Sequence, residues 1–230
     1  MTPRNYLKQK KQLHFTQGGI EVIIKDELIY GEKDSDFSVK DVVDFITSRI
    51  PKSLLTNIDV IYVGNFDFLN KRSVQAMYDN SSIFVTNHQD NFEDMCDDVI
   101  HEIAHSVEEV KDVYIYSDGL LESEFATKRR QLYSILKSEG FCEDISLQTF
   151  LETEYTPSFD DFLYKEVGYS ALSVLTASIF YSPYAATSLR EYFANGFEAY
   201  YCHQDVDFLQ KACPKLYAKI LGLTDEEYEK

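Results

Sequence analysis

The sequence has little basic charge and little cysteine. Lysine and arginine total 22 residues against 39 aspartates and glutamates, which gives a formal net charge of −17. Nucleic acid and anionic membrane surfaces repel such a chain, so a basic or neutral partner fits better than either; the alternative is simply a soluble acidic surface. Only four cysteines occur in 230 residues, and no two of them form a CxxC pair. That excludes a dense disulfide framework and a cysteine-based structural zinc site, so we expect reduced thiols.

Long apolar runs are also missing. The longest one, around residues 171–180, is interrupted by Ser and Thr and is too short to cross a bilayer, so we predict no membrane span. Residues 1–19 include basic side chains but lack the apolar region of a signal peptide. We therefore predict a cytoplasmic protein, or a secreted one if a signal has been removed, and leave the oligomeric state open.

The chain does contain enough apolar surface for a globular core. Apolar residues make up 44% of it, with 17 Tyr and 16 Phe. Two β-branched runs, 58–63 and 83–86, indicate strands in a first part that ends near residue 90. After residue 91 the apolar residues recur at helical spacing. We predict an α+β fold in one domain, with a small mixed sheet in 1–90 and a mainly helical half in 91–230, whose later helices cover 119–138, 160–178, 187–203 and a stretch beginning at Pro214.

Two of the five histidines lie four residues apart in the first of these predicted helices. This spacing places His101 and His105 on one helix face, with roughly 5–6 Å between their Cβ atoms. Two imidazoles so placed can each reach one zinc ion at about 2.0–2.1 Å. Glu102 completes an HExxH arrangement, in which the glutamate serves as general base. The alternative is a solvated helix face that happens to carry two histidines.

A catalytic zinc needs a third protein ligand and an open position for water. The third histidine of metzincins is absent, because Glu108 and Lys111 occupy the positions of the motif's glycine and histidine. Two carboxylates remain as candidates. Glu124 lies 19 residues after His105, a spacing that resembles the aminopeptidase-type zincins, although the glycine that follows their ligand is missing here. The other candidate is Glu191.

The segment EYFANGF, which begins at Glu191, resembles the ligand helix of the anthrax lethal factor family, to which the clostridial Pro-Pro endopeptidases are related. The family motif is Glu-(Phe/Tyr)-Phe-Ala-x-x-Phe, and its glutamate is the third zinc ligand. The resemblance covers roughly residues 91–215. It implies a zincin-like fold of the gluzincin type, with the Tyr184 hydroxyl pointing into the active site from seven residues upstream. The segment between His105 and Glu191 is longer than in the family, so extra helices must be inserted there.

Together these observations predict a zinc-dependent metalloendopeptidase that hydrolyses peptide bonds by a Glu-activated zinc-bound water. His101, His105 and Glu191 bind Zn²⁺, and Glu102 transfers the proton from the water to the leaving amine. The metal and the Tyr184 hydroxyl stabilise the oxyanion. The substrate is a protein or peptide, which we expect to lie extended beside an edge strand at 83–86.

Alternatives exist for the function and for single residues. The protein can be a catalytically idle zincin-fold binding module, or an aminopeptidase that uses Glu124 as its third zinc ligand. Glu191 follows Ser188 by three residues, so the two can instead form a helix capping box. Tyr184 can be one more buried tyrosine with a polar tip. Asn195, one helical turn after Glu191, is a candidate to support that ligand.

Overall fold

The computed structural model describes residues 13–31, 37–143 and 145–224. It divides into two compact units, the first ending at Val110 and the second beginning at Lys111. The first unit contains the strands and the second is helical, which confirms the α+β class. Residues 1–12, on which most of the signal-peptide argument rests, lie outside the described residues. Among the described helices, none has the length and apolar character needed to cross a membrane.

The first unit is built on a five-stranded mixed sheet with the order β1-β2-β4-β6-β5. The three central strands run parallel, and each edge strand pairs antiparallel with its neighbour. Two further strands, β3 and β7, form a separate parallel pair. The strands are β1 (Leu13–Gln17), β2 (Ile20–Ile24), β3 (Ile29–Tyr30), β4 (Val60–Gly64), β5 (Ala76–Asp79), β6 (Ser82–Thr86) and β7 (His88–Gln89).

The prediction that residues 83–86 form an edge strand is wrong. They do form a strand, β6, but it is paired on both sides, with β4 and with β5. The strand missing from the prediction is β5, which has no β-branched residue and so carries a weak strand signal. Asn80 and Ser81 both have positive φ, 46° and 60°, as the tight turn of a hairpin requires. The edge strand at this side of the sheet is therefore β5.

Three α-helices begin in the part of the first unit that the structure describes. Helix α1 starts with a complete capping box between Ser38 and Asp41, and it ends before Pro51, which cannot continue a helix. Helix α3 contains the HExxH residues, and the boundary between the units falls within it, beside its one non-helical residue, Lys111. Their bounds are α1 (Val39–Arg49), α2 (Asp67–Arg72) and α3 (Phe92–Tyr116), and a short 3₁₀ turn covers Lys52–Leu54.

The helices predicted at 119–138 and 187–203 are confirmed in the second unit, and Pro214 begins its last helix. The single helix predicted over 160–178 is wrong, because Gly168 has a φ of 85° and interrupts it. The elements are α4 (Leu120–Ser138), α5 (Leu147–Phe150), α6 (Pro157–Asp161), a π-helix (Phe162–Val167), α7 (Tyr169–Thr176), a 3₁₀ turn (Tyr184–Ala186), α8 (Leu189–Tyr201), α9 (Val206–Ala212) and α10 (Pro214–Gly222).

The interior of the second unit is rich in aromatic rings, which pack mostly edge to face around helices α4 and α8. Gly196 lets α8 and α10 approach closely, since a Cβ atom there would lie 2.2 Å from Leu216 Cδ2. The four cysteines are all buried and reduced, as predicted. The larger buried aromatic side chains of the second unit are Phe125, Phe150, Phe180, Tyr192, Phe193 and Phe197.

Candidate metal centre

Helix α3 places the two motif histidines side by side. Ring nitrogens of His101 and His105 lie within 4.8 Å of one another, and the two ring centroids are 4.9 Å apart. Both imidazoles are half-buried, whereas Ile100 and Ile103, which point to another side of the helix, are fully buried. The helical periodicity expected from the sequence is therefore present, and the pair fits two of the ligand positions around one zinc ion.

Glu108 orients one of these imidazoles. Its side chain is 3% exposed, and its Oε2 atom lies 2.6 Å from Nδ1 of His105. A carboxylate at this distance fixes the proton on Nδ1, so the ring's lone pair is on Nε2. Histidine ligands of zinc commonly have such a carboxylate on their other nitrogen. Glu108, which occupies the glycine position of the metzincin motif, thus supports His105.

The Glu102 carboxylate contacts the free edge of the sheet. The backbone N–H of Tyr78, in β5, donates to Glu102 Oε2 over 2.6 Å. Thr86 N donates to the carbonyl of Gln75 on the other side of β5, and alternation along the strand then directs the backbone groups of Tyr78 outward. The Tyr78 hydroxyl also donates to Glu109, which lies two turns after Glu102 in α3. The proposed general base and the exposed strand edge are therefore adjacent.

The N-terminal side of the motif is acidic. Asp98 lies one turn before His101, and burial raises the pKa of its carboxyl to about 7. The hydrogen bond that Gln89 donates to Asp98, at 3.4 Å, opposes that shift, as does the charge of His101, while the charge of Glu102 adds to it. A concentration of carboxylates favours a cation nearby. A cavity of about 370 Å³ in this unit is lined by four of them: Asp90, Asp94, Asp97 and Asp98.

Glu191 lies in the first turn of α8, in the second unit. Ser188 caps this helix, and its hydroxyl accepts a hydrogen bond from the backbone N–H of Glu191 at 3.1 Å. This half of the predicted capping box is present. The bond engages the backbone of Glu191, so a ligand role for the half-buried carboxylate is compatible with the cap.

Tyr184 begins the 3₁₀ turn that precedes α8. Burial raises the pKa of its phenol, and the negative charge of Glu191 raises it further. The hydroxyl therefore stays protonated at neutral pH and is able to donate a hydrogen bond. The 3₁₀ turn packs against α8, so the structure brings the elements of these two predicted residues together within one unit.

Glu124, the other candidate ligand, has a structural role in the second unit. Its Oε1 atom accepts hydrogen bonds from the Tyr192 hydroxyl at 2.9 Å and from the backbone N–H of Leu216 at 3.1 Å. Its Oε2 atom accepts from the N–H of Lys215 at 2.8 Å. Both N–H groups belong to the first turn of α10, so Glu124 caps that helix from α4. Three donors on one carboxylate disfavour its use as a zinc ligand.

The contacts of Glu108 and Tyr78 were not predicted from the sequence, and that of Asn195 was predicted without its partner atom. Glu108 was detectable, because it follows His105 by three residues on the same helix face. The contact of Tyr78 with Glu102 uses a backbone group and has no side-chain signature. Asn195 supports the turn of Glu191, but it bonds the backbone carbonyl and not the carboxylate.

Comparison with known proteins gives no significant match to a protein-family model, to a curated protein sequence or to a solved structure.

Proposed function

We propose that the protein is a zinc-dependent metalloendopeptidase of the gluzincin type with a zincin-like fold. His101 and His105 of the first unit and Glu191 of the second would hold the metal. The observation that carries the proposal is the paired arrangement of the two histidines, with Glu108 fixing the tautomer of His105. Two imidazoles and one carboxylate are a donor set that catalytic zinc sites use.

The chain's own groups account for the proton movements of peptide hydrolysis. Zinc, when bound, supplies Lewis-acid activation of a water and of the scissile carbonyl. Glu102, next in sequence to the ligand His101, accepts the proton of the attacking water and delivers it to the leaving amine nitrogen. The protonated Tyr184 hydroxyl donates a hydrogen bond to the oxyanion that develops on the carbonyl oxygen.

The substrate would lie along the outer edge of β5 as an added strand. The backbone N–H of Tyr78 points out of this edge, and Glu102 now accepts its hydrogen bond. A substrate carbonyl that docks at this N–H takes the place of the carboxylate. Docking then releases Glu102 to accept a proton from water, which couples substrate binding to the availability of the base.

The test is metal titration followed by cleavage profiling. We expect one zinc per chain, cleavage of members of an unbiased peptide library, and loss of cleavage when a chelator is added. Peptides with blocked N-termini should be cleaved, which an aminopeptidase that uses Glu124 would not do. A Glu102→Gln variant that keeps its zinc provides the control. A chain that binds zinc and cleaves nothing would instead support the idle binding module, and cleavage that survives the chelator would contradict a metal mechanism.

A further inference from the structure

Asn195 is a buried polar residue in the interior of α8. Its side chain is 3% exposed, and it lies one helical turn after Glu191. Asparagine is a poor residue for a helix interior, and a buried amide is costly unless its groups are hydrogen-bonded. Its contacts therefore indicate what keeps it in this position.

The amide of Asn195 joins two segments of the second unit. Its Nδ2 atom donates to the backbone carbonyl of Glu191 at 3.1 Å, which leaves Oδ1 as the acceptor on its other side. The Ser182 hydroxyl donates to that oxygen. Ser182 Oγ in turn accepts from the backbone N–H of Ala185 at 3.3 Å. This chain of three hydrogen bonds connects the turn that contains Tyr184 to the turn of helix that contains Glu191.

The rest of the Tyr184 turn is held by other contacts, at its C-terminal end. The guanidinium of buried Arg129 donates to the carbonyls of Ala186 and Thr187, and the Thr187 hydroxyl donates to the carbonyl of Tyr184 at 2.8 Å. Ser182 is the contact on the N-terminal side. Removing its hydroxyl leaves the Arg129 contacts in place, so the turn persists while its N-terminal side loses the contact with Ser182.

We propose that Ser182 and Asn195 are positioning residues that set the Tyr184 hydroxyl relative to the Glu191 carboxylate. The proposal rests on the proposed function for its catalytic consequence only. Neither side chain touches the substrate, and both act through Tyr184. Displacements on the order of 1 Å in such a group can cost about 100-fold in rate.

The kinetic test compares Ser182→Ala with Ser182→Thr, which keeps the hydroxyl. For the zinc-loaded enzyme we expect Ser182→Ala to lower kcat about 10- to 100-fold, with KM and zinc content unchanged, and Ser182→Thr to stay near the parent. Thr176→Val is the control, because it removes a buried hydroxyl of this unit that donates within its own helix, to Leu172 O at 2.7 Å. Equal losses in Ser182→Ala and Thr176→Val would overturn the proposal.

A double-mutant cycle separates positioning from a general structural effect. If Ser182 acts through the tyrosine, Ser182→Ala changes kcat by less than about twofold in a Tyr184→Phe background. Losses that multiply, each variant costing as much in the presence of the other as alone, would contradict the proposal.

A second readout does not depend on catalysis. The zinc-free protein is labelled with 3-fluorotyrosine, and the ¹⁹F resonance of Tyr184 is assigned by its disappearance in Tyr184→Phe. We expect that resonance to shift or broaden in Ser182→Ala and in Asn195→Ala, and to stay unchanged in Thr176→Val. Should Asn195→Ala fail to fold, Ser182→Ala decides the question. A wild-type protein that cleaves no peptide would defeat the proposed function, whereas an unmoved Tyr184 resonance would defeat the positioning role.

Discussion

The candidate residues of the first unit and those of the second are positioned in different ways. In the first unit, His101, Glu102 and His105 lie within five consecutive residues of one helix, and helix geometry alone brings their side chains together. In the second unit, Tyr184 and Glu191 belong to different elements, and contacts from elsewhere in the chain hold those elements.

Arg129 shows how extensive those contacts are. It is 1% exposed, and its guanidinium lies 3.9 Å from the Phe159 ring centroid while it donates to the backbone carbonyls of Phe150, Ala186 and Thr187. Burial lowers the pKa of this side chain to about 9. One buried cation therefore joins α4 to the end of α5 and to the turn after Tyr184. Substitutions of the candidate residues in the first unit should therefore affect chemistry, whereas many substitutions in the second unit should also affect folding.

The largest effect is expected for Glu102→Gln. The amide is isosteric but cannot accept the proton of the water, so kcat should fall by about 100- to 10,000-fold. Zinc content and thermal stability should stay at parental values, because Glu102 contributes a single hydrogen bond with Tyr78. Steady-state kinetics and metal analysis check this. Loss of the zinc together with activity would mean that Glu102 is a ligand.

The second-largest effect is expected for Tyr184→Phe. It removes one hydroxyl that donates to the developing oxyanion, and the loss of one such donor typically costs about 100- to 1,000-fold in kcat. KM should change little, since the contact forms only as charge develops. Kinetics on one peptide substrate measure both constants. A raised KM with an unchanged kcat would assign Tyr184 to substrate binding instead.

Glu108→Gln tests whether a supporting residue in the first unit affects zinc binding. The amide no longer holds the proton on Nδ1 of His105 as a carboxylate does, and zinc affinity should fall by about 10- to 100-fold. Competition titration against a chromophoric chelator gives the affinity. Glu109→Gln is a suitable control, because Glu109 accepts hydrogen bonds from Tyr78 and Asn57 and not from a motif histidine. An identical affinity for Glu108→Gln and the parent would show that the contact is only structural.

The smallest effect on the chemistry is expected for Glu124→Gln. This substitution replaces a charged acceptor at the first turn of α10 and should lower the free energy of unfolding by about 1–3 kcal/mol. Urea denaturation measures the change. Zinc affinity should be unaffected, and a loss of zinc from this folded variant would favour the aminopeptidase alternative.

Sequence reasoning reached the parts of the structure that depend on local pattern. The HExxH helix and the helix start at Pro214 follow from spacing and residue type. The edge strand β5 was missed because it has no β-branched residue and its pairing depends on the Asn80–Ser81 turn. Contacts that join distant segments through backbone groups have no pattern in the sequence.

The zinc affinity of Glu191→Gln tests whether Glu191 is the third zinc ligand. Competition titrations would compare the parent, Glu191→Gln and Glu124→Gln under the same conditions. We expect Glu191→Gln to lose more than about 100-fold in zinc affinity, which is more than the removal of a supporting residue costs. We expect Glu124→Gln to bind zinc like the parent. Parental affinity in a folded Glu191→Gln variant would contradict the proposed metal site.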